Sequence, residues 1–148
     1  MIRPAQTGDA DAVSAVVDAA YQHYIARIGK PPGPMLDDYA PRIADGQAWV
    51  LEDEGRIAGI LVLEQTAAGL LLDNIAVLPE FQGKGFGRTL IDFAEAEARR
   101  RGCGSIELYT HALMTENIAL YGRVGFVETH RVSEKGYDRV YMSKPLPG

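Results

Sequence analysis

One segment in the middle of the chain constrains the fold more than any other. An apolar stretch, residues 70–77, ends before Pro79, and the glycine-rich residues 82–88 follow it. A helical pattern comes next, in which four apolar residues share one face: Leu90, Ile91, Ala94 and Ala98. Such spacing is typical of an amphipathic helix. The segment therefore predicts a strand that enters a helix through a glycine-rich turn.

This predicted turn has the properties of an anion site. The first amides of a helix lack internal acceptors, and the helix dipole makes that end electropositive. Gly83, Gly85 and Gly87 carry no Cβ that would obstruct a phosphate, while Lys84 and Arg88 add positive charge. The turn therefore predicts a binding site for phosphate or pyrophosphate.

Two common phosphate motifs do not describe this turn. A P-loop requires Gly-Lys followed by Ser or Thr at the helix start, whereas this chain has Gly87-Arg88-Thr89. A dinucleotide fingerprint requires G-x-G-x-x-G near a first strand, and the glycines here alternate instead. On these residues alone, an interaction domain that binds a nucleotide phosphate stays an alternative.

The rest of the chain predicts an α+β domain. Strands are predicted near residues 2–5, 48–51, 57–64, 70–77, 105–110, 126–132 and 139–143, and helices near 10–26, 37–44, 87–101 and 115–123. The proline-rich residues 29–34 are expected to lack regular structure. The resulting order, β-α-α-β-β-β-α-β-α-β-β, predicts a single domain over residues 1–148 with a mixed sheet and four helices.

Charge and composition narrow the class of protein. Lys and Arg number 15 against 20 Asp and Glu, and the net charge of −5 disfavours a general nucleic-acid binder. The single cysteine, Cys103, cannot form an intramolecular disulfide and fits a reducing compartment. No apolar stretch approaches the roughly 18 residues of a membrane span, and no secretory pattern is visible. We therefore expect a cytoplasmic protein without nucleic-acid, membrane or metal partners.

Two motifs carry a family resemblance. The first is Gln82-Gly83-Lys84-Gly85-Phe86-Gly87, which follows Ala76-Val77-Leu78-Pro79-Glu80. The second, within residues 117–126, places Tyr121 shortly before Gly125-Phe126. With both motifs in this order, the chain resembles the GNAT superfamily of acetyl-CoA-dependent N-acetyltransferases. The resemblance implies a three-layer α/β/α fold around a mostly antiparallel sheet of about seven strands.

The resemblance also implies an activity. A family member of this kind transfers an acetyl group from acetyl-CoA to a primary amine, by direct attack within a ternary complex and without a metal. A small molecule or a peptide would supply the amine, and another acyl-CoA donor stays open. A non-catalytic module that binds CoA for regulation or sensing is the alternative within the same fold. The family further points to a homodimer formed through the C-terminal strands.

The family motifs assign cofactor contacts position by position. The strand at residues 75–77 would pair with the pantetheine arm, and the amides of residues 82–88 would hold the pyrophosphate. Tyr121 matches the tyrosine that bonds to the CoA sulfur. Many members have an asparagine where this chain has Met114, and Asn117 is expected to replace it. The implied cofactor site is Ile75, Ala76, Val77, Gln82, Gly83, Lys84, Gly85, Phe86, Gly87, Arg88, Asn117 and Tyr121.

The same reasoning gives candidate catalytic residues. Tyr121 would act as general acid toward the leaving sulfur, and a backbone N–H near residues 75–77 would stabilise the carbonyl oxygen. Asp73 and His111, at the ends of the two central strands, are both candidates for the base. Weaker candidates for the base are Glu64 and Glu80.

The acceptor pocket is expected near the proline-rich loop. Residues 1–80 carry 12 acidic and 5 basic residues, and this acidic half favours a cationic amine. Four residues that flank or lie in the loop are expected to line the pocket: Tyr24, Arg27, Met35 and Tyr39.

Overall fold

A computed structural model describes residues 1–147, and its seven strands form one sheet in the spatial order β1-β2-β3-β4-β5-β7-β6. The strands are β1 (Ile2–Pro4), β2 (Ala48–Asp53), β3 (Arg56–Thr66), β4 (Gly69–Val77), β5 (Ser105–His111), β6 (Val127–Glu134) and β7 (Tyr137–Pro145). All neighbours pair antiparallel except β4 and β5, which are parallel. A parallel pair needs a long crossover connection, and a helix provides it here.

Six α-helices lie among the described residues, two more than the sequence predicts. They are α1 (Ala10–Tyr21), α2 (Tyr24–Ile28), α3 (Gly33–Leu36), α4 (Tyr39–Ala44), α5 (Phe86–Arg100) and α6 (Thr115–Arg123). Helix α5 is the crossover between β4 and β5. Between residues 1 and 147, no helix has both the length and the apolar character that crossing a membrane requires.

The sheet is buried on both faces. Along β3 the side chains alternate, because successive residues of a strand point to opposite faces. Ile60 and Val62 pack with α1 and α4, whereas Leu61 and Leu63 pack with α5 and α6. All of these side chains are at most 1% exposed. The two cores on opposite faces confirm the predicted α+β class and its three-layer arrangement.

The two additional helices arise in segments where the sequence predicts one longer helix and an irregular loop. The helix predicted over residues 10–26 is interrupted at Gln22 and His23, where the Ile25 amide bonds to the Gln22 carbonyl in a tighter turn. The prediction that residues 29–34 all lack regular structure is wrong for Gly33 and Pro34, which begin α3. Proline is tolerated there because the first turn of a helix needs no amide donor.

A β-bulge interrupts the pairing of β3 with β4. Val62 is opposite Asn74 and Leu63 is opposite Leu72, so Asp73 has no partner on β3. An extra residue of this kind changes the face to which the following side chains point. Accordingly Leu72 packs into the core under α5, whereas Ala76 packs into the core under α1.

Beyond the bulge, β4 separates from β5. Their ladder consists of Leu70–Leu72 against Ile106–Leu108, and it ends where Asp73 begins. Strand β5 nevertheless stays paired with β7 as far as His111. The sheet is therefore continuous at one end of β4 and open at the other, and a gap forms between two central strands.

Buried hydrogen bonds tie the open end of β4 to the helices above it. The Tyr21 hydroxyl lies 2.8 Å from Asn74 Oδ1, and Asn74 Nδ2 donates to the Tyr39 hydroxyl at 2.9 Å. That hydroxyl in turn donates to the Pro34 carbonyl at 2.6 Å. The chain of bonds fixes α1, α3 and α4 relative to β4.

We expect the Tyr39 hydroxyl to contribute measurably to stability. In the Tyr39→Phe variant the buried Asn74 amide and the Pro34 carbonyl both lose a partner. Leaving buried polar groups unpaired costs about 1–3 kcal/mol of unfolding free energy. Urea denaturation of the variant beside wild type measures this loss.

Tyr141→Phe is the matched control. Its hydroxyl donates to Glu134 Oε1 at 2.7 Å, and both side chains are only partly buried. Water can replace that bond, so a change within about 0.5 kcal/mol is expected. Equal losses in the two variants would contradict the role given to the buried network.

Candidate active site

Two cavities meet in the gap between β4 and β5. The turn cavity, about 570 Å3, is lined by Val77, Gln82, Gly83, Gly85, Gly87 and Arg88 among others. The hairpin cavity, about 360 Å3, is lined by Asp73, His111, Lys135, Tyr137 and Arg139 among others. Both volumes are within the range of small-molecule sites. Four residues line both cavities: Tyr21, Ile75, Asn117 and Tyr121.

The glycine-rich turn presents free amides to the turn cavity. Among residues 1–147, the amides of residues 83–88 have no acceptor, and the Thr89 amide is the first to bond, to the Gly85 carbonyl at 3.0 Å. Gly83 and Gly85 have φ of 86° and 80°, a left-handed conformation that favours glycine. A Cβ at either position would meet no atom within 4 Å. The turn is thus an open cradle of amide donors suited to an anion.

The two cations of the turn take different places. Arg88 lines the turn cavity and lies 3.2 Å from Asp92 on its own helix. Lys84 is not in the lining, because its ammonium turns toward Asp53 at 3.6 Å and Glu54 at 3.9 Å. The positive potential at the cradle therefore comes from backbone amides and Arg88, while Lys84 is directed to the β2–β3 turn.

The open edge of β4 faces the gap with its backbone. The Leu78 amide bonds to a β3 carbonyl, and bonded residues alternate along an antiparallel pair. Ile75 and Val77 therefore direct their N–H and C=O groups away from β3. The Tyr21 hydroxyl lies 3.0 Å from the Ile75 carbonyl, and Gln82 Nε2 donates to the Val77 carbonyl at 3.2 Å, which agrees with this alternation. The two N–H groups face the gap as donors.

Tyr121 projects from α6 to the junction of the cavities. Its ring is buried and packs edge-on against Phe126, with centroids 5.8 Å apart. Among residues 1–147 its hydroxyl has no hydrogen-bond partner, although it lines both cavities. Burial raises the pKa of Tyr121 well above its ordinary value. The hydroxyl therefore stays protonated at neutral pH and is available as a donor.

Met114 occupies the position at which the family that this chain resembles often has an asparagine. It is 3% exposed, and its Sδ lies 3.6 Å from Asn117 Nδ2 and 3.5 Å from Thr110 Oγ1. Sulfur is a weak acceptor, so the Asn117 side-chain amide can still form further hydrogen bonds. Asn117 lines both cavities, and its contact with the cofactor stays a prediction.

Asp73, the unpaired residue of the bulge, lines the hairpin cavity. Its carboxylate contacts Arg42 Nη2 at 3.2 Å and the Tyr109 hydroxyl at 3.4 Å. Burial raises the pKa of Asp73, although Arg42 acts in the opposite direction. Arg42 is shared with Asp37 at 3.2 Å and Glu64 at 3.5 Å, so it does not neutralise Asp73 alone. A carboxylate with a raised pKa is a better proton acceptor.

His111 differs from Asp73 because its free ring nitrogen, Nε2, offers a proton and no lone pair. The Leu113 amide donates to His111 Nδ1 at 3.0 Å, so the neutral ring carries its proton on Nε2. Burial lowers the pKa of His111, and Lys30 and Arg139 act in the same direction against Asp138. A neutral ring with Nδ1 engaged offers an N–H donor to the cavity, and it has no free lone pair with which to accept a proton.

The weaker candidates for the base lie outside both linings. Glu64 contacts Arg42 from the far side, and Glu80 is paired with Arg56 at 3.1 Å on the surface. Within residues 1–147, no three His, Cys, Asp or Glu side chains are grouped closely enough to hold a metal ion.

The four residues predicted to line the acceptor pocket are not in the hairpin cavity. Tyr24 lines the turn cavity instead. Arg27 is directed to Glu116 at 2.6 Å, Met35 packs into the core beside α1, and the Tyr39 hydroxyl is used in the buried network. The proline-rich loop does contribute to the hairpin cavity, but through Pro32, Gly33, Pro34 and Leu36.

Sequence reasoning missed most of the hairpin-cavity residues. Tyr109 was detectable, because it is two residues before His111 on one strand and shares its face. Lys135, Tyr137 and Arg139 come from the C-terminal hairpin, more than twenty residues later. These residues reach the cavity because β7 pairs with β5, and no local sequence pattern indicates that pairing.

Comparison with known protein families identifies the family of this chain. Residues 44–128 match the family described as the acetyltransferase (GNAT) domain. The chain belongs to this family. The prediction of a GNAT member from the two sequence motifs is therefore confirmed.

Individual GNAT relatives act on different acceptors according to their names. The chain is 33% identical over 102 residues to the ribosomal protein bS18-alanine N-acetyltransferase of Escherichia coli K12, which covers 65% of this chain and 69% of that protein. It is 31% identical over 114 residues to the streptothricin acetyltransferase of Streptomyces lavendulae, covering 70% and 60%. The alignments therefore span 60 to 69% of the lengths of these two relatives.

Solved structures confirm the fold. The PaiA N-acetyltransferase of Thermoplasma acidophilum, in complex with coenzyme A, superposes with a TM-score of 0.79 at 19% identity and covers 98% of each chain. At this identity the likeness establishes the shared fold and leaves the acceptor open.

The position of the His111 proton is directly measurable. We expect nitrogen-15 NMR to show the Nε2–H tautomer, and a pH titration to place the His111 pKa below its ordinary value of 6.5. Assignment through the His111→Gln variant identifies the signal. An Nδ1–H tautomer would contradict the Leu113 bond and return His111 to candidacy as the base.

Proposed function

We propose that this chain is an N-acetyltransferase that moves an acetyl group from acetyl-CoA to a primary amine within a ternary complex. The observation that carries the proposal is the meeting of two cavities at one protonated tyrosine, with an amide cradle in one and a carboxylate in the other. The turn cavity is the site for the cofactor, and the hairpin cavity is the site for the acceptor amine.

The turn cavity fits acetyl-CoA residue by residue. The amides of residues 83–88 and Arg88 would hold the pyrophosphate, since those amides have no acceptor and the glycines among them border open space. Ile75 and Val77 would pair with the pantetheine arm as an additional strand does. Asn117 and Tyr121 would lie beside the sulfur.

The chain's own groups would then carry out the transfer. Acetyl-CoA supplies a thioester carbonyl, to which the amine nitrogen bonds as the carbon–sulfur bond breaks. The Ile75 or Val77 N–H would stabilise the negative charge on the carbonyl oxygen. Asp73 would take the proton that the nitrogen loses, and Tyr121 would donate a proton to the leaving thiolate. The sum of these steps is an amide and a free thiol.

Asp73 is preferred to His111 as the base. Burial already raises its pKa, and its oxygens have lone pairs that the cavity can reach. The nitrogen of the amine becomes strongly acidic once it is bonded to the acyl carbon, so a carboxylate suffices to accept its proton. His111, with its proton on Nε2, would instead donate to the acceptor.

The cradle is tested by introducing a carboxylate into it. We expect Gly85→Glu to weaken CoA binding by about 100-fold or more, because the side chain occupies the cradle and repels phosphate. Calorimetric titration with CoA, acetyl-CoA and ATP measures the effect. Wild-type protein should bind both CoA species and not ATP.

Gly102→Glu is the matched control for this variant. Gly102 lies at the other end of α5 with φ of 75°, and a Cβ there would meet no atom within 4 Å, so the substitution carries a comparable backbone strain. Its CoA affinity should equal that of wild type. Equal losses in both variants, or binding of ATP, would favour the alternative of a structural or nucleotide-binding turn.

The acid and the base are tested by removing each group. Tyr121→Phe should lower kcat by about 10²–10⁴-fold with CoA affinity retained, since it removes the general acid. Asp73 accepts a proton only above its raised pKa, so kcat/KM should increase with pH through that pKa. Asp73→Asn should lower kcat/KM and abolish this acid limb. Thiol release over a pH series measures both effects.

Tyr141→Phe and Asp18→Asn are the controls, since both positions lie outside the two linings. They should leave kcat and the pH profile unchanged. Wild-type protein that binds CoA but releases no thiol with any amine would identify the non-catalytic CoA-binding module instead.

A further inference from the structure

The proline-rich loop and the C-terminal hairpin touch each other beside the hairpin cavity. Lys30 Nζ donates to the Gly136 carbonyl and lies 4.2 Å from the centre of the Tyr137 ring. The Tyr137 hydroxyl donates to the Pro31 carbonyl. We call these contacts, between residues 30–31 and 136–137, the strap. It joins the loop and the hairpin, both of which contribute residues to the lining of the cavity.

The strap limits the size of what the cavity accepts. The strap bridges the loop and the hairpin at the edge of the cavity, whose volume is about 360 Å3. That volume suits a small molecule. An extended polypeptide, which needs a groove that continues past the reacting residue, is not favoured by such a strap.

The cavity lining holds two charged groups of opposite net sign. Asp73, Asp37 and the Arg42 that both contact line it where β4 faces α3 and α4, so carboxylates outnumber cations there. Lys135 and Arg139 line it on the hairpin. Among residues 1–147 Lys135 has no ion pair, whereas Arg139 contacts Glu134 at 3.1 Å. The first group therefore favours an ammonium, and the hairpin group favours an anion.

His111 strengthens the hairpin group. It is directly opposite Arg139 in the β5–β7 ladder, so the two side chains are neighbours on one face. Its Nε2–H is a donor, as the Leu113 bond requires. Asp138, the acidic group that faces His111, is bonded to the Ser133 hydroxyl. His111, Lys135 and Arg139 together offer the donors that a carboxylate accepts.

We propose that the acceptor is a small amine that carries its own carboxylate, such as a free amino acid, with the amine at Asp73 and the carboxylate at Lys135, Arg139 and His111. This proposal rests on the proposed acetyltransferase function and specifies its acceptor class. A polyamine would bring a second cation against Lys135 and Arg139. The N-terminal residue of a peptide would bring a neutral amide in place of the carboxylate.

The acceptor class is tested with molecules that differ by one group. Leucine, leucinamide, isoamylamine, spermidine and a leucine-initiated peptide are compared as acceptors by thiol release from acetyl-CoA, with methionine and phenylalanine sets in parallel. We expect kcat/KM at least about tenfold higher for each amino acid than for its amide, its decarboxylated amine or its peptide. Leucinamide is the sharpest comparison, because its amine is less basic and more often neutral than that of leucine.

A charge variant links the preference to the hairpin group. Lys135→Asn removes the charge, and asparagine tolerates the φ of 52° at this turn position. It should lower kcat/KM for leucine about tenfold and leave isoamylamine unchanged. Arg99→Gln, which removes an exposed charge at the far end of α5, should change neither acceptor.

Each outcome decides the proposal. Equal use of leucine and isoamylamine, or a preference for spermidine or the peptide, overturns it while the acetyltransferase function stands. If CoA binds and no amine is turned over, calorimetry of leucine and isoamylamine with the CoA-saturated protein decides: binding of leucine alone supports the proposal, and any other result overturns it. Failure of CoA to bind removes the proposed function first, and the acceptor class with it.

Discussion

The short ladder between β4 and β5 is the constraint on which the site depends. Two parallel strands in the middle of a sheet normally pair along their length, since unpaired backbone groups in a protein interior are costly. Here the pairing ends at Leu72 and Leu108, and the groups beyond it need other partners. Tyr21 and Gln82 supply two of them, and the cavities leave the N–H groups of Ile75 and Val77 for a ligand. The gap in the sheet thereby leaves hydrogen-bond donors facing the cavities.

The sequence predicts structural features that depend on neighbouring residues better than features that depend on residues far apart in the chain. The glycine-rich turn was predictable, because Gly83 and Gly85 adopt backbone angles that few other residues tolerate and α5 follows directly. The bulge at Asp73 was not, since it is a property of how two strands align. The strap was not either, because Lys30 and Gly136 are far apart in the chain and contact each other only in the folded structure. Local conformation is encoded by neighbouring residues, whereas the hairpin cavity is formed by residues far apart in the chain.

The conclusion drawn from the acidic first half of the chain also changes once the ion-pair partners of its carboxylates are known. The acidic first half of the chain predicted a site for a cation, yet several of its carboxylates are held by arginines. Arg3 pairs with Asp9 and Glu52, and Arg42 takes up Asp37 and Asp73. Formal charge therefore overstates the local field. What distinguishes the hairpin cavity is that its lining holds both a mainly acidic group and a basic group.

The bulge also has a consequence for how such a site can diverge between relatives. Asp73 has no partner on β3, so its side chain is not selected by a facing residue in the ladder. Substitutions there change a charged group of the cavity lining without changing the pairing of β3 with β4, whereas changes at Asn74 disturb a buried network. Adjacent positions on one strand thus differ in evolutionary freedom. A fold with this property can keep the glycine-rich turn and the open edge of β4 while the charge beside them changes.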